Sequence, residues 1–165
     1  MIMKTVNKKI KNATSLVYKG VQYKSNLEVS CKKALDIAGL QFAYETEKFN
    51  LIESFTPALH FYQSTKMGLK KQCKKNGSCL TMRPVSYTPD FWFGNDKILI
   101  FIETKGFRND VYPYKRKLFF RHMTAYKMLG GEEGKKREIY FFEPSNIRDI
   151  KESIGIIKKI LNNGN

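Results

Sequence analysis

The apolar positions of the chain follow two rhythms, and these predict its elements. Between residues 26 and 38, Leu27, Cys31, Ala34, Leu35 and Ala38 recur at steps of four, three, one and three. That spacing lines one face of a 3.6-residue period and predicts a helix. Ser25 is a good N-cap for it, and Gly39 supplies the left-handed stop. Residues 41–51 alternate through Phe42, Tyr44, Thr46 and Lys48, with Phe49 out of step, and predict one long strand exposed on one face. Residues 87–93 and 98–104 read as two strands joined across Gly94-Asn95-Asp96. The second holds the unbroken apolar run 98–102, as expected of a strand buried on both faces.

Pro113 opens a second helix expected to reach Leu129 and stop at Gly130-Gly131, with Leu118, His122, Ala125, Tyr126 and Leu129 on one face. Residues 138–142 predict a short buried strand. Ser145 is the expected cap of a last helix, whose Ile147, Ile150, Ile154, Ile157 and Leu161 are spaced three, four, three and four apart and read as core packing. Upstream of these, Val17-Tyr18 and residues 21–23 flank Lys19-Gly20 as a small hairpin. Residues 1–16 are Lys- and Asn-rich and read as a basic flexible arm or, equally, as a frayed terminus. Residues 53–86 are the least patterned and are expected to be an insertion or extended loop pair, with strand character at 81–87. The order of elements is that of an α/β or α+β fold around a mixed sheet. At 165 residues this makes a single domain, 17–165, behind the arm.

Composition adds a partner. Lys and Arg number 30 against 15 Asp and Glu, a formal charge of +15, which favours a polyanion, nucleic acid, over a merely soluble basic surface. Lys115, Arg116, Lys117 and Arg121 on the second helix are the expected phosphate contacts, with Lys66, Lys70, Lys71, Lys74 and Lys75 in the insertion. The alternative for the helix is a solvated face. Three cysteines, an odd count, exclude a disulfide framework and fit a reducing compartment. No apolar run approaches the roughly 20 residues of a membrane span, and no secretory signal is recognisable, so the expected location is cytoplasmic. His60 and His122 are the two histidines, too few for nucleases built on several His ligands. Cys73 and Cys79 with His60 invite a zinc reading, but five intervening residues and a missing fourth ligand argue against it.

The chemistry concentrates in Pro89-Asp90 and, thirteen positions after Asp90, Glu103-Thr104-Lys105. Residues two apart in a strand point to the same side, so Glu103 and Lys105 leave the most buried strand together, and the hairpin brings Asp90 alongside. Two converging carboxylates hold a hard cation such as magnesium, with manganese expected to substitute. The Lys105 ammonium then holds or activates a water for phosphodiester hydrolysis. The bland alternative is a strand-end ion pair, worth little on an exposed surface; the Pro-Asp hairpin favours the site. Asp149-Ile150-Lys151 repeats the acid-x-Lys pattern, but on an expected helix without a Pro-Asp partner. Ser25 to Glu28 fits a capping box, and on the residues alone that is the preferred role of Glu28. Glu45 and Glu47 either face the same site or are solvated strand residues. Phe91 and Trp92 either stack on a splayed base or, the favoured reading, pack in the hairpin core.

Taken together, Ser25-x-Leu27-Glu28, Gly39-Leu40-x-Phe42-x-Tyr44-Glu45, Tyr87-Thr88-Pro89-Asp90-Phe91 and Ile102-Glu103-Thr104-Lys105-Gly106 resemble the PD-(D/E)XK nuclease superfamily. Within it they look most like the phage endonuclease I type of Holliday-junction resolvase. Gly20-x-x-Tyr23-x-Ser25-x-Leu27-Glu28, Lys105-Gly106-Phe107 and Val111-Tyr112 to Phe119 are also similar to a little-characterised phage family of that superfamily. The resemblance implies a restriction-endonuclease-like core, a mixed central sheet flanked by helices. It also implies metal-dependent DNA cleavage at branched or junction DNA, an intertwined homodimer, and a phage origin with activity in the bacterial host's cytoplasm. By it, Asp90, Glu103 and the Thr104 carbonyl are metal ligands, Lys105 the catalytic lysine, and Glu28 an active-site acid rather than only a cap. The resolvase pattern has an acidic residue where this chain has Ala43, and its segment corresponding to 52–86 is shorter. The competing expectation is a non-catalytic DNA-binding module that retains the nuclease fold.

Overall fold

The computed structural model describes residues 16–73, 79–106 and 111–163. The expected arm, Leu16 apart, lies outside the described residues, as do Lys74, Lys75 and Phe107. Strands β1 (Leu16–Tyr18) and β2 (Val21–Tyr23) form the expected hairpin, with Lys19 and Gly20 at φ 50° and 77° in the turn. Helix α1 spans Asn26–Ile37. It stops as expected, with Gly39 at φ 72° and two closing bonds, Gly39 N–H to the Asp36 carbonyl and Leu40 N–H to the Leu35 carbonyl.

The long strand expected over 41–51 is instead two short ones, β3 (Ala43–Tyr44) and β4 (Phe49–Ile52). Glu45 breaks them, standing at φ 48° with its N–H donated to the Asp90 carbonyl. After that turn the chain leaves the first sheet, and Phe49 packs edge-on against Phe101 and Phe119. The insertion carries an exposed hairpin, β5 (Tyr62–Thr65) and β6 (Gly68–Lys71), and then β7 (Val85–Tyr87), which pairs with β4. The strand expected over 87–93 is also interrupted. β7 ends at Tyr87 and β8 runs Phe91–Gly94, because Pro89 has no N–H to give to a ladder.

Strand β9 (Ile98–Ile102) follows the turn, then come α2 (Tyr112–Leu129), a six-residue α3 (Gly131–Lys136), β10 (Glu138–Phe142) and α4 (Ile147–Asn163). The central sheet has the order β10-β9-β8-β3, with β10 parallel to β9 and the other pairs antiparallel. The protein is therefore mixed α/β, its sheet flanked by helices. Alternation divides β9 between two cores. Ile98, Ile100 and Ile102 pack with Val29 and Leu35 of α1 and Ile150, Ile154 and Ile157 of α4. Leu99 and Phe101 pack with Phe119 and Met123 of α2. Both faces are covered, which is why the run is continuously apolar.

Three more expectations need correction. β10 is half-buried rather than buried, because it forms the edge of the sheet. The buried stripe of α2 is Tyr112, Phe119 and Met123, one position round from the face expected, and Leu129 is exposed; Phe119-Phe120 and the flanking apolar residues give that helix no clean stripe. Asn146, not Ser145, caps α4, its Oδ1 accepting from Asp149 N–H at 3.0 Å. The glycines after α2 do stop it, and they also admit α3: Gly131 stands at φ 65°, and a Cβ on Gly134 would lie 2.2 Å from the Tyr126 carbonyl oxygen.

Replacing Ile157, fully buried, by Ala is expected to cost about 2–5 kcal/mol in urea unfolding. Leu129→Ala, at an exposed position, should stay within about 0.5 kcal/mol of wild type.

Candidate functional site

Beyond Ile102 the backbone keeps its parallel pairing, with Glu103 N–H on the Phe142 carbonyl and Lys105 N–H on the Pro144 carbonyl, both at 2.9 Å. Extended backbone is thereby carried past the strand end, and Glu103 and Lys105 take the same side as Phe101, that of α2. Their side chains meet: Lys105 Nζ lies 2.5 Å from Glu103 Oε1. On the other oxygen, Tyr87 Oη donates to Glu103 Oε2 at 2.7 Å. Asp90, held at the entry to β8, accepts at Oδ2 from both the N–H and the Oγ1 of Thr104, each at 2.7 Å. One strand end thus fixes both carboxylates.

Glu28 reaches the same place from the first turn of α1. It makes half of the expected capping box: its N–H donates to Ser25 Oγ, but its Oε2 accepts from Lys24 N–H at 2.9 Å, one residue before the cap, rather than from Ser25 N–H. The carboxylate does more than cap. Oε1 accepts from Ser25 Oγ at 2.7 Å and Oε2 from Tyr44 Oη at 2.6 Å. Glu28, Asp90, Glu103 and Thr104 are all buried. Together with Lys105 and Lys115 they line one cleft of about 670 Å³.

The electrostatics follow from this crowding. Burial foremost, then the charges of Glu103 and Glu28, push the Asp90 carboxyl above the ordinary carboxylate range, against the opposing pull of the Thr104 bonds. Tyr87 is raised by burial and by the Glu103 charge, and Tyr44 by burial and its bond to Glu28. Both phenols therefore stay protonated as donors. The Lys105 ammonium sits 4.3 Å from the centroid of the Tyr112 ring, and Tyr112 Oη donates to Glu143 at 2.8 Å.

The four basic residues of α2 separate. Lys115 lines the cleft. Arg116 is ion-paired with Glu143 at 2.7 Å. Lys117 and Arg121 are exposed, one turn apart on a face that does not line the cleft. Glu45 lines the cleft in an ion pair with Lys24, whereas Glu47 is exposed and outside it. Phe91 and Trp92 pack in the hairpin core as favoured, with Trp92 Nε1–H donating to Thr46 Oγ1 at 2.7 Å. Sequence reasoning gave no role to the donors Tyr44, Tyr87 and Tyr112. All three lie within the family-like motifs, but nothing local marks a tyrosine as the partner of a distant carboxylate. Cys73 and Cys79, expected to stay reduced, are joined in a disulfide, and His60 lies beside them.

Fold and site together define a mixed α/β protein with a cleft of buried carboxylates and a lysine at the end of its central strand. Residues 8–132 match the family described as "Protein of unknown function (DUF1064)", and the chain belongs to that family. The matched span holds Glu28, Asp90, Glu103 and Lys105 and leaves out β10 and α4. Searches of curated proteins and of solved structures find no significant match. Among the described residues no helix is long and apolar enough to cross a membrane.

A carboxyl raised by burial favours the native state only while protonated. The metal-free protein should lose stability as pH rises from the unfolded value, near 3.8, through the raised native value of Asp90. Urea unfolding in a chelator across that range should show the decline in wild type and a flatter profile in Asp90→Asn.

Proposed function

We propose that the protein is a metal-dependent endodeoxyribonuclease with a restriction-endonuclease-like core, hydrolysing phosphodiester bonds in branched or junction DNA. The observation that supports it most is the buried Asp90–Glu103 pair with the Lys105 ammonium in the same cleft. The donors fit a hard cation. They are oxygens, and the raised Asp90 carboxyl marks a crowding of negative charge that a cation would relieve.

Asp90, Glu103 and the Thr104 carbonyl would hold magnesium or manganese, which when bound polarises a phosphoryl oxygen and acidifies a water. The chain's own groups do the rest. Lys105, leashed by Glu103 and the Tyr112 face, holds an ammonium beside the carboxylates where it orients a water or offsets charge at the phosphate. Glu28, fixed by Ser25, Lys24 and Tyr44, supplies a third carboxylate in the same cleft, where it orients a water by accepting a hydrogen bond from it. Lys115 at the cleft, and the net charge of +15, favour a DNA backbone as the occupant.

The test is cleavage of labelled four-way junction, flap, single-stranded and plain duplex DNA with magnesium, manganese or a chelator. Wild type should cut with metal alone, junction or flap first. Lys105→Ala should lower the rate by about 10²–10⁴-fold with binding retained. Binding without cutting on every substrate would overturn the nuclease in favour of a DNA-binding module.

A further inference from the structure

We infer that His60, Cys73 and Cys79 form a second metal site, specific for a soft divalent cation such as zinc, which replaces the disulfide when the insertion is reduced. The insertion lacks a core: among the described residues of 53–84, Cys73 alone is buried, while Phe55, Leu59, Tyr62, Met67, Leu69 and Leu80 are exposed. A segment that cannot bury apolar area needs a covalent or metal staple to hold one shape. The structure shows one staple, the bond between Cys73 and Cys79, which face each other across an isolated antiparallel bridge.

The same atoms suit the other staple once reduction lets the two sulphurs part to the roughly 3.8 Å that separates two thiolates on one tetrahedral zinc. The His60 nitrogen and the two sulphurs lie within 4.8 Å of one another. The carbonyl oxygen of Leu59 stands 3.4 Å from Cys73 Sγ and 3.5 Å from Cys79 Sγ. That is about the 3.5 Å edge between sulphur and oxygen in a tetrahedron with ordinary zinc bond lengths. One nitrogen, two thiolates and one oxygen complete four-coordination, which answers the missing fourth ligand. The spacing of five intervening residues is accommodated because the cysteines face each other across an isolated bridge rather than on one tight knuckle. Cys31 is no competitor: it is buried in the first core, and burial foremost pushes its thiol up to about 12.

The exchange balances. A dithiol reductant gives two electrons and two protons to the cystine and becomes a disulfide itself. The two thiols formed lose their protons as the cation binds. The site belongs to the insertion and is independent of the carboxylate cleft.

The experiment titrates cobalt(II), then zinc, into the full-length protein reduced with a phosphine, which does not compete as a thiol. Reduced wild type should develop a thiolate-to-cobalt charge-transfer band that saturates at one equivalent and is displaced by zinc. The oxidised protein and Cys73→Ser/Cys79→Ser should lack the band, and Asp90→Asn should keep it. His60→Ala should weaken binding by about tenfold or more. A reduced wild type with no band, or a His60→Ala variant that binds as tightly as wild type, would overturn the site.

Discussion

The arrangement of the molecule turns on the burial of two carboxylates side by side. Asp90 and Glu103 are each almost inaccessible, and moving a charge into such a place costs on the order of several kcal/mol per ion. Each is held by donors that the fold must deliver: the Thr104 amide and hydroxyl for Asp90, the Tyr87 hydroxyl and the Lys105 ammonium for Glu103. The Asp90 carboxyl still remains raised. Donors within the protein therefore offset part of the crowding, and what is left over is what a cation would relieve.

That requirement explains features that are otherwise odd. The antiparallel β8–β9 pair brings Asp90 beside Thr104, with the register Phe91 to Ile102 setting the approach. The β9–β10 pairing continues to Lys105, so the motif stays extended after the strand proper has ended. Glu45 turns the chain at a positive φ, which carries β4 away to the second core and leaves Tyr44 beside Glu28. Each core holds one wall of the cleft: α1 presents Glu28 from the first, and α2 presents Tyr112 and Lys115 next to the second.

Where the periodicity was clean, the fold was legible. α1 and its glycine stop, the apolar run of β9 and the α4 stripe from Ile150 onward stand where their spacing puts them, whereas Ile147, expected in that stripe, lies exposed at the helix start. Elements whose fate depends on tertiary contacts were not legible. The split of 41–51 needs the Glu45–Asp90 backbone bond, and the one-position rotation of α2 needs Phe101 and Phe141 as partners for Phe119. The insertion carries no hydrophobic period, and among its described residues the apolar side chains are left almost entirely unburied. At the site, acid-x-Lys after an apolar strand and Pro-Asp on the preceding one were enough to bring Asp90, Glu103 and Lys105 together. Glu28 was ambiguous because one carboxylate both caps a helix and lines the cleft. The tyrosine donors could not be foreseen, since their partners lie 16 residues away in each of the pairs Tyr44–Glu28 and Tyr87–Glu103.

Carboxylates crowded in this way are what a bound cation would relieve, and thermal unfolding with and without magnesium puts that to the test. Magnesium should raise the melting temperature of wild type in a concentration-dependent way, and Asp90→Asn should be at least as stable as wild type without metal yet gain nothing from it. A wild-type melting temperature indifferent to magnesium and manganese, or an equal rise in Asp90→Asn, would contradict the account.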